Sequence, residues 1–213
     1  MIYLYTLLPS IIEGLKTTLE VFLCTLVISI PLGVVIALCR ISNLKILKVA
    51  AEIYIWIMRG TPLLLQLIFV FFGLPIVGIV FNRFTAVLIA FVLNYAAYFG
   101  EVFRSGIEAI DIGQYEAAEV LTLTPVKTFM RIIAPQMIKI VLPPVSNEVI
   151  NLVKDTSLVY VVGIGELLRA GKIAANRDAS LTPLVVVAIF YLLLTAALTK
   201  GFNNLEKKYA YYR

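Results

Sequence analysis

Four stretches of this chain, 21–39, 60–82, 84–100 and 181–199, run without one charged side chain. A helix crossing the apolar slab of a bilayer needs about 20 such residues at 1.5 Å per residue. Lipid offers no partner to backbone N–H and C=O groups, so an apolar run of this length crosses as a helix that satisfies them internally. A fifth stretch, 138–165, is also apolar but carries Glu148, Lys154 and Asp155, charges that a lipid-facing helix excludes. It is predicted to span with its polar side turned toward protein. The expected fold is an all-α integral membrane protein forming a single transmembrane domain over 1–213. Its five spans are placed at about 15–40, 49–74, 83–105, 138–165 and 180–204, with one long loop at 106–136. Only 15% of the residues are charged and the mean hydropathy is +0.97, whereas a soluble domain carries about 25% charge.

The segment 1–11, with Tyr3, Tyr5 and Pro9, is too short to span and is expected to lie at the interface. The first basic residue is Lys16, so the charged start of a cleavable leader is missing and the first span is expected to remain. Orientation follows from the loop cations. Arg40, Lys45, Lys48, Arg104, Lys127, Arg131, Lys139, Lys200, Lys207, Lys208 and Arg213 collect on one side, against Lys16, Arg83, Arg169, Lys172 and Arg177 on the other. The richer side is predicted to be cytoplasmic, which puts the N-terminus outside and the C-terminus inside.

Several chemistries are excluded early. The chain has no His, which removes His metal ligands, Ser-His-Asp catalysis and His proton relays together. No catalytic residue and no metal site is expected. Cys24 and Cys39 would stand about 22 Å apart on one helix, beyond disulfide reach. The net charge of +5 is not gathered into a run that would track a nucleic-acid backbone. Around Gly165 and Lys172 the P-loop spacing fails, with five residues between Gly165 and Gly171 and Ile173 where a magnesium-binding hydroxyl belongs.

Helical spacing arranges the remaining polar residues in lines. Asn94, Tyr98, Glu101 and Ser105 fall on one face of the third span; Asn147, Asn151 and Lys154 form a stripe beside Glu148 and Asp155; Glu52, Arg59 and Gln66 follow at seven-residue steps. Three such faces predict a shared hydrated interior. Pro62 and the pair Pro143 and Pro144 interrupt helical hydrogen bonding where backbone groups could meet a ligand. One reading is that the charges pair internally, Glu52 with Arg59 and Lys154 with Asp155. Glu148 has no basic residue one turn away, and a buried carboxylate needs a cation. An amino acid supplies one in its α-ammonium group, with Asn94, Asn151, Tyr98 and Gln66 as neutral partners. Arg59, Pro62, Glu101, Lys154 and Asp155 are expected to gate or brace.

The loop 106–136 carries Asp111, Glu116 and Glu119 beside Ala117, Ala118, Leu121 and Leu123, the pattern of a short amphipathic helix. Thr124 and Pro125 read as an N-cap and first position of a second helix that Pro135 is expected to stop. Gly113, Gln114, Tyr115, Glu116, Ala117 and Ala118, then Ile132 and Pro135, resemble the Glu-Ala-Ala loop of permease subunits of ATP-binding-cassette importers. Further along, Arg59 to Leu64, Ala96-Ala97-Tyr98 with Glu101, Leu142-Pro143-Pro144 with Asn147 and Glu148, and Lys154 to Leu158 are similar to the polar amino-acid branch, in the same order. Two positions depart from the pattern: Thr122 stands where a Gly is expected and Ala134 where a Leu is expected.

The resemblance implies a type I importer architecture in a prokaryotic plasma membrane. It also implies a second permease chain, identical or paralogous, and two copies of a separate ATPase subunit that binds ATP and magnesium. An extracytoplasmic binding protein would deliver a polar amino acid, and Glu148 adds a slight lean to basic ones. Gly113, Glu116, Ala117, Ala118, Thr122 and Pro135 would form the coupling segment to the ATPase. This chain would bind no cofactor. The alternatives are an ion- or proton-coupled carrier using Glu101, Glu148 and Asp155 as relays, and, within the class, a permease for glutamine, glutamate or another small solute.

Overall fold

The computed structural model describes residues 2–209, with side chains from Leu7 onward. Among the described residues there are nine α-helices, several joined by short π and 3-10 turns, and no strand. They are α1 (Ile2–Ile41), α2 (Lys45–Gly60), α3 (Leu63–Ile68), α4 (Arg83–Glu108), α5 (Ile112–Val120), α6 (Pro125–Thr128), α7 (Ala134–Asp155), α8 (Leu167–Arg177) and α9 (Thr182–Tyr209). Among the described residues, three helical segments are long and apolar enough to cross a membrane: Leu7–Ile41, Arg83–Glu108 and Thr182–Tyr209. A fourth candidate is a bent pair, Lys45–Gly60 with Leu63–Val77, turned through 102° at the break. The helix α7 has spanning length, 22 residues, but carries the charges noted above.

The segment expected at the interface belongs instead to α1, which starts at Ile2 and runs unbroken through Pro9 and Pro31. Leu7 and Ile11 are fully buried and pack with Leu167, Ala174 and Val187 of α8 and α9. An apolar face with a ready protein partner has no reason to stay in the headgroups. Tyr3 and Tyr5 have side chains outside the described set, and Arg213, counted above for orientation, lies outside the described residues.

The pairing of α1 with α4 is the most extensive in the fold. A Cβ on Gly33 would stand 2.7 Å from that of Phe99, and one on Gly100 would stand 2.7 Å from Ile36 Cγ2. The small residues let the two backbones approach closely, as in membrane helix packing generally. Around this axis the main core gathers Val21, Leu67, Val87, Phe91, Phe99, Leu152 and Val153. The outward faces of α1, α2 and α9 remain apolar and exposed, with Trp56, Val27, Leu192 and Leu193 among them, as expected of surfaces solvated by lipid or by another subunit.

Pro135 does not stop its helix. It sits in the first turn of α7, directly after a π-helical turn at Phe129–Ile133. The wider turn absorbs the hydrogen bond that proline cannot make, so the chain continues helically. Pro143 and Pro144 are likewise carried inside the continuous α7. Thr124 caps α6 as expected, accepting from Lys127 N at 3.4 Å with Pro125 in the first turn.

Candidate functional site

The 102° break between α2 and α3 opens a wall that α4 and α7 complete. Together they enclose a cavity of about 630 Å³ lined by Arg59, Gly60, Thr61, Pro62, Leu63, Leu64, Asn94, Tyr95, Tyr98, Glu148, Asn151, Asp155 and Leu158. The polar lines expected from helical spacing thus converge in part. Asn94 and Tyr98 come from α4, Glu148, Asn151 and Asp155 from α7, and Arg59 with Pro62 from the break.

Arg59 does not pair with Glu52. Its guanidinium lies over the Tyr98 ring, 5.1 Å from the centroid, a cation–π arrangement. Glu52 instead accepts from Arg40 of α1 at 3.2 Å. The turn connecting α1 to α2 folds the end of one helix back beside the start of the other, so Arg40 is spatially nearer than the residue two turns along. Nor do Lys154 and Asp155 form a salt bridge. Asp155 accepts the Tyr95 hydroxyl at 2.7 Å, while Lys154 is exposed and lines a separate pocket with Ser157, Leu168 and Tyr191.

Glu148 is half-buried. Among the described residues it takes part in no hydrogen bond or salt bridge, although the Arg59 and Asp155 charges both act on it. The cavity therefore presents one guanidinium, a carboxylate held by Tyr95 and a second carboxylate without a direct partner. Such a set can receive a small solute that bears both an ammonium and a carboxylate group.

Two expected members lie elsewhere. Glu101 is held by Arg104, whose Nε stands 3.0 Å from Oε2 and which also contacts Glu108, and neither Glu101 nor Ser105 lines the cavity. Gln66 sits behind the wall, its carboxamide bonded to Met58 O, Thr61 O, Thr61 Oγ1 and the Asn94 amide at 2.7–3.2 Å. The residue missed from sequence is Tyr95, 2% exposed, which resembled ordinary core in an apolar helix. Its place one turn before Phe99 and beside Asn94 was the available signal.

Within the loop 106–136, Asp111 caps α5 by accepting from Gly113 N at 2.7 Å. Burial raises the Tyr115 hydroxyl above the usual tyrosine range. Ala118 is buried against the chain itself, whereas Glu116, Ala117, Ile112 and Val120 face outward. Gln136 of α7 donates to Gln114 at 3.1 Å and ties α5 to that helix. Thr122 adopts φ +54°, the left-handed conformation that glycine enters freely and a β-branched residue enters only under strain. The bend expected of a Gly is kept, at a conformational cost. Pro135 is half-buried in α7.

The family model for the binding-protein-dependent transport system inner membrane component matches residues 29–211, and the chain belongs to that family. It is 38% identical to the arginine transport system permease protein ArtQ of Bacillus subtilis, over 94% of this chain and 93% of that one. It is 36% identical to a putative glutamine transport system permease protein GlnP of Rickettsia bellii, over 93% and 92%. A crystal structure of an amino acid ABC transporter with histidines superposes with a TM-score of 0.89 at 34% identity, covering 97% of each chain. These relatives are amino-acid transporter permeases, and the chain is a multi-pass inner-membrane subunit of a family that works with an ATPase and a binding protein. The ion-coupled carrier alternative falls with that assignment.

Proposed function

We propose that this chain, paired with a second permease chain, imports polar amino acids handed over by an extracytoplasmic binding protein, through the cavity between α2, α4 and α7. The observation that carries this reading is Glu148, a carboxylate with no direct partner in a cavity that also holds Arg59. The α-ammonium group of the solute would sit against Glu148, with Asn151 and Tyr98 supplying neutral hydrogen bonds and Asn94 contributing its carbonyl. Arg59, parked on Tyr98, would act as the gate cation beside Pro62. Asp155 adds a second negative charge, which inclines the preference toward basic side chains over those of glutamine or glutamate.

Two ATPase subunits would bind ATP and magnesium on the cytoplasmic side and drive the cycle through α5. In this reading the outward face at Glu116 and Ala117 docks the ATPase, while Gly113, Ala118, Thr122 and Pro135 shape and hold the loop. The N-terminus would lie outside and the C-terminus inside, with the cation-rich loops cytoplasmic. The test is ATP-driven uptake of labelled arginine, glutamine and glutamate into proteoliposomes containing the complete transporter. Arginine preference that collapses in Glu148→Gln supports the reading. Uptake and preference unaltered by that substitution would move selection to the binding protein and sink the role given to the cavity.

A further inference from the structure

The break in the second candidate span leaves the last carbonyls of α2, Met58 among them, without helical partners. In a continuous helix the Met58 carbonyl would accept from the backbone N–H of residue 62, but Pro62 has none. An unpaired carbonyl is costly in a water-poor interior. Here the Met58 oxygen receives two side-chain amides, Asn94 Nδ2 at 3.0 Å and Gln66 Nε2 at 3.0 Å.

The two amides also bond each other, Asn94 Nδ2 to Gln66 Oε1 at 3.1 Å, and Gln66 reaches Thr61 O and Thr61 Oγ1 at 3.2 and 2.7 Å. Thr61 Oγ1 in turn donates to Ile57 O at 2.8 Å. Gln66 otherwise lies among apolar neighbours, Ile57, Leu65, Phe69 and Leu74, where a carboxamide without partners would be unfavourable. Asn94 is 4% exposed and stands in the most buried stretch of α4.

We propose that Asn94 and Gln66 form an amide clamp that satisfies the Met58 carbonyl at the end of α2, fixes the 102° break to α4, and thereby positions Arg59 and Pro62 on the cavity wall. Gln66 is a positioning residue, with its carboxamide committed to the break. The consequence for transport, though not the clamp itself, rests on the cavity being the solute site.

The test is backbone hydrogen exchange of residues 61–66 in the assembled transporter in nanodiscs, without solute, for Gln66→Leu, Asn94→Leu and the double substitution. Each single change is expected to speed exchange at least about tenfold, Gln66→Leu more than Asn94→Leu, since the first removes four hydrogen bonds and the second two. The double change should exceed the product of the two, because the Met58 carbonyl then loses both donors. Amides of α9 serve as the control and should not move. Unchanged exchange at 61–66 in the double variant overturns the clamp.

Should Gln66→Leu fail to assemble, Asn94→Leu alone carries the measurement, and unchanged exchange at 61–66 in that variant overturns the proposal. Uptake assayed on Gln66→Leu should show a raised KM with Vmax held within about twofold. Faster exchange with an unaltered KM upholds the clamp and removes the cavity from the solute path, so the two failures are told apart.

Discussion

The Tyr95 hydroxyl donates to the Asp155 carboxylate at 2.7 Å, joining α4 to the end of α7 at the rim of the cavity. Asp155 is thereby oriented, while Glu148, two turns earlier on the same helix, is left open. Two carboxylates of one helix are given different tasks by what α4 offers them.

Tyr95→Phe keeps the buried ring and removes only the hydroxyl. The expected loss of stability is about 1 kcal/mol, together with a change in KM for a basic amino acid as Asp155 is freed to turn. Thermal melting of the complex and uptake kinetics on the same preparation measure both.

Glu148→Gln preserves shape and hydrogen bonding but deletes the charge. For a solute bound through its α-ammonium group, KM should rise about tenfold or more with the complex intact by size-exclusion chromatography. A neutral solute lacking the ammonium should show no such penalty, and an equal penalty for both would indicate general damage.

Glu116→Lys reverses the charge on the outward face of α5. The permease should remain folded while ATPase copurification falls and ATP-driven uptake is lost. Retention of the ATPase at wild-type stoichiometry, with normal uptake, would remove Glu116 from the docking surface.

Thr122→Gly should stabilise the protein. The left-handed backbone at φ +54° costs a β-branched residue about 1–3 kcal/mol, more than the extra unfolded-state freedom glycine brings. A melting temperature raised by a few degrees, with unaltered uptake, is the expected outcome; a lowered one would mean that the Thr side chain contributes more than its backbone strain removes.

The all-helical membrane character was legible from the uncharged runs, because charge is excluded from lipid regardless of detail. The convergence of Asn94, Tyr98, Glu148 and Asn151 was legible because α4 and α7 are continuous through those positions and helical spacing holds. It failed for Gln66 because seven-residue steps align side chains only along one unbroken axis. The turn at Gly60–Pro62 redirects everything after it, and Gln66 folds back onto the break. Arg40 and Glu52 were not paired in advance because their contact spans a helix-to-helix turn that periodicity does not describe. The Pro135 stop was misplaced because Pro135 falls in the first turn after a π-turn, where its missing N–H breaks no regular α hydrogen bond and the helix runs on.

The π-turn at Phe129–Ile133 amounts to one surplus residue wound into an otherwise regular helix. Deleting any single residue there would leave the helical content nearly unchanged and could even improve the local hydrogen bonding. An i→i+5 turn takes up one residue more than an i→i+4 turn over nearly the same sweep, so such a deletion would regularise the ladder while Glu116 and Ala117 keep their heading. The surplus residue is slack in the winding, and the aim of the loop helix does not depend on it.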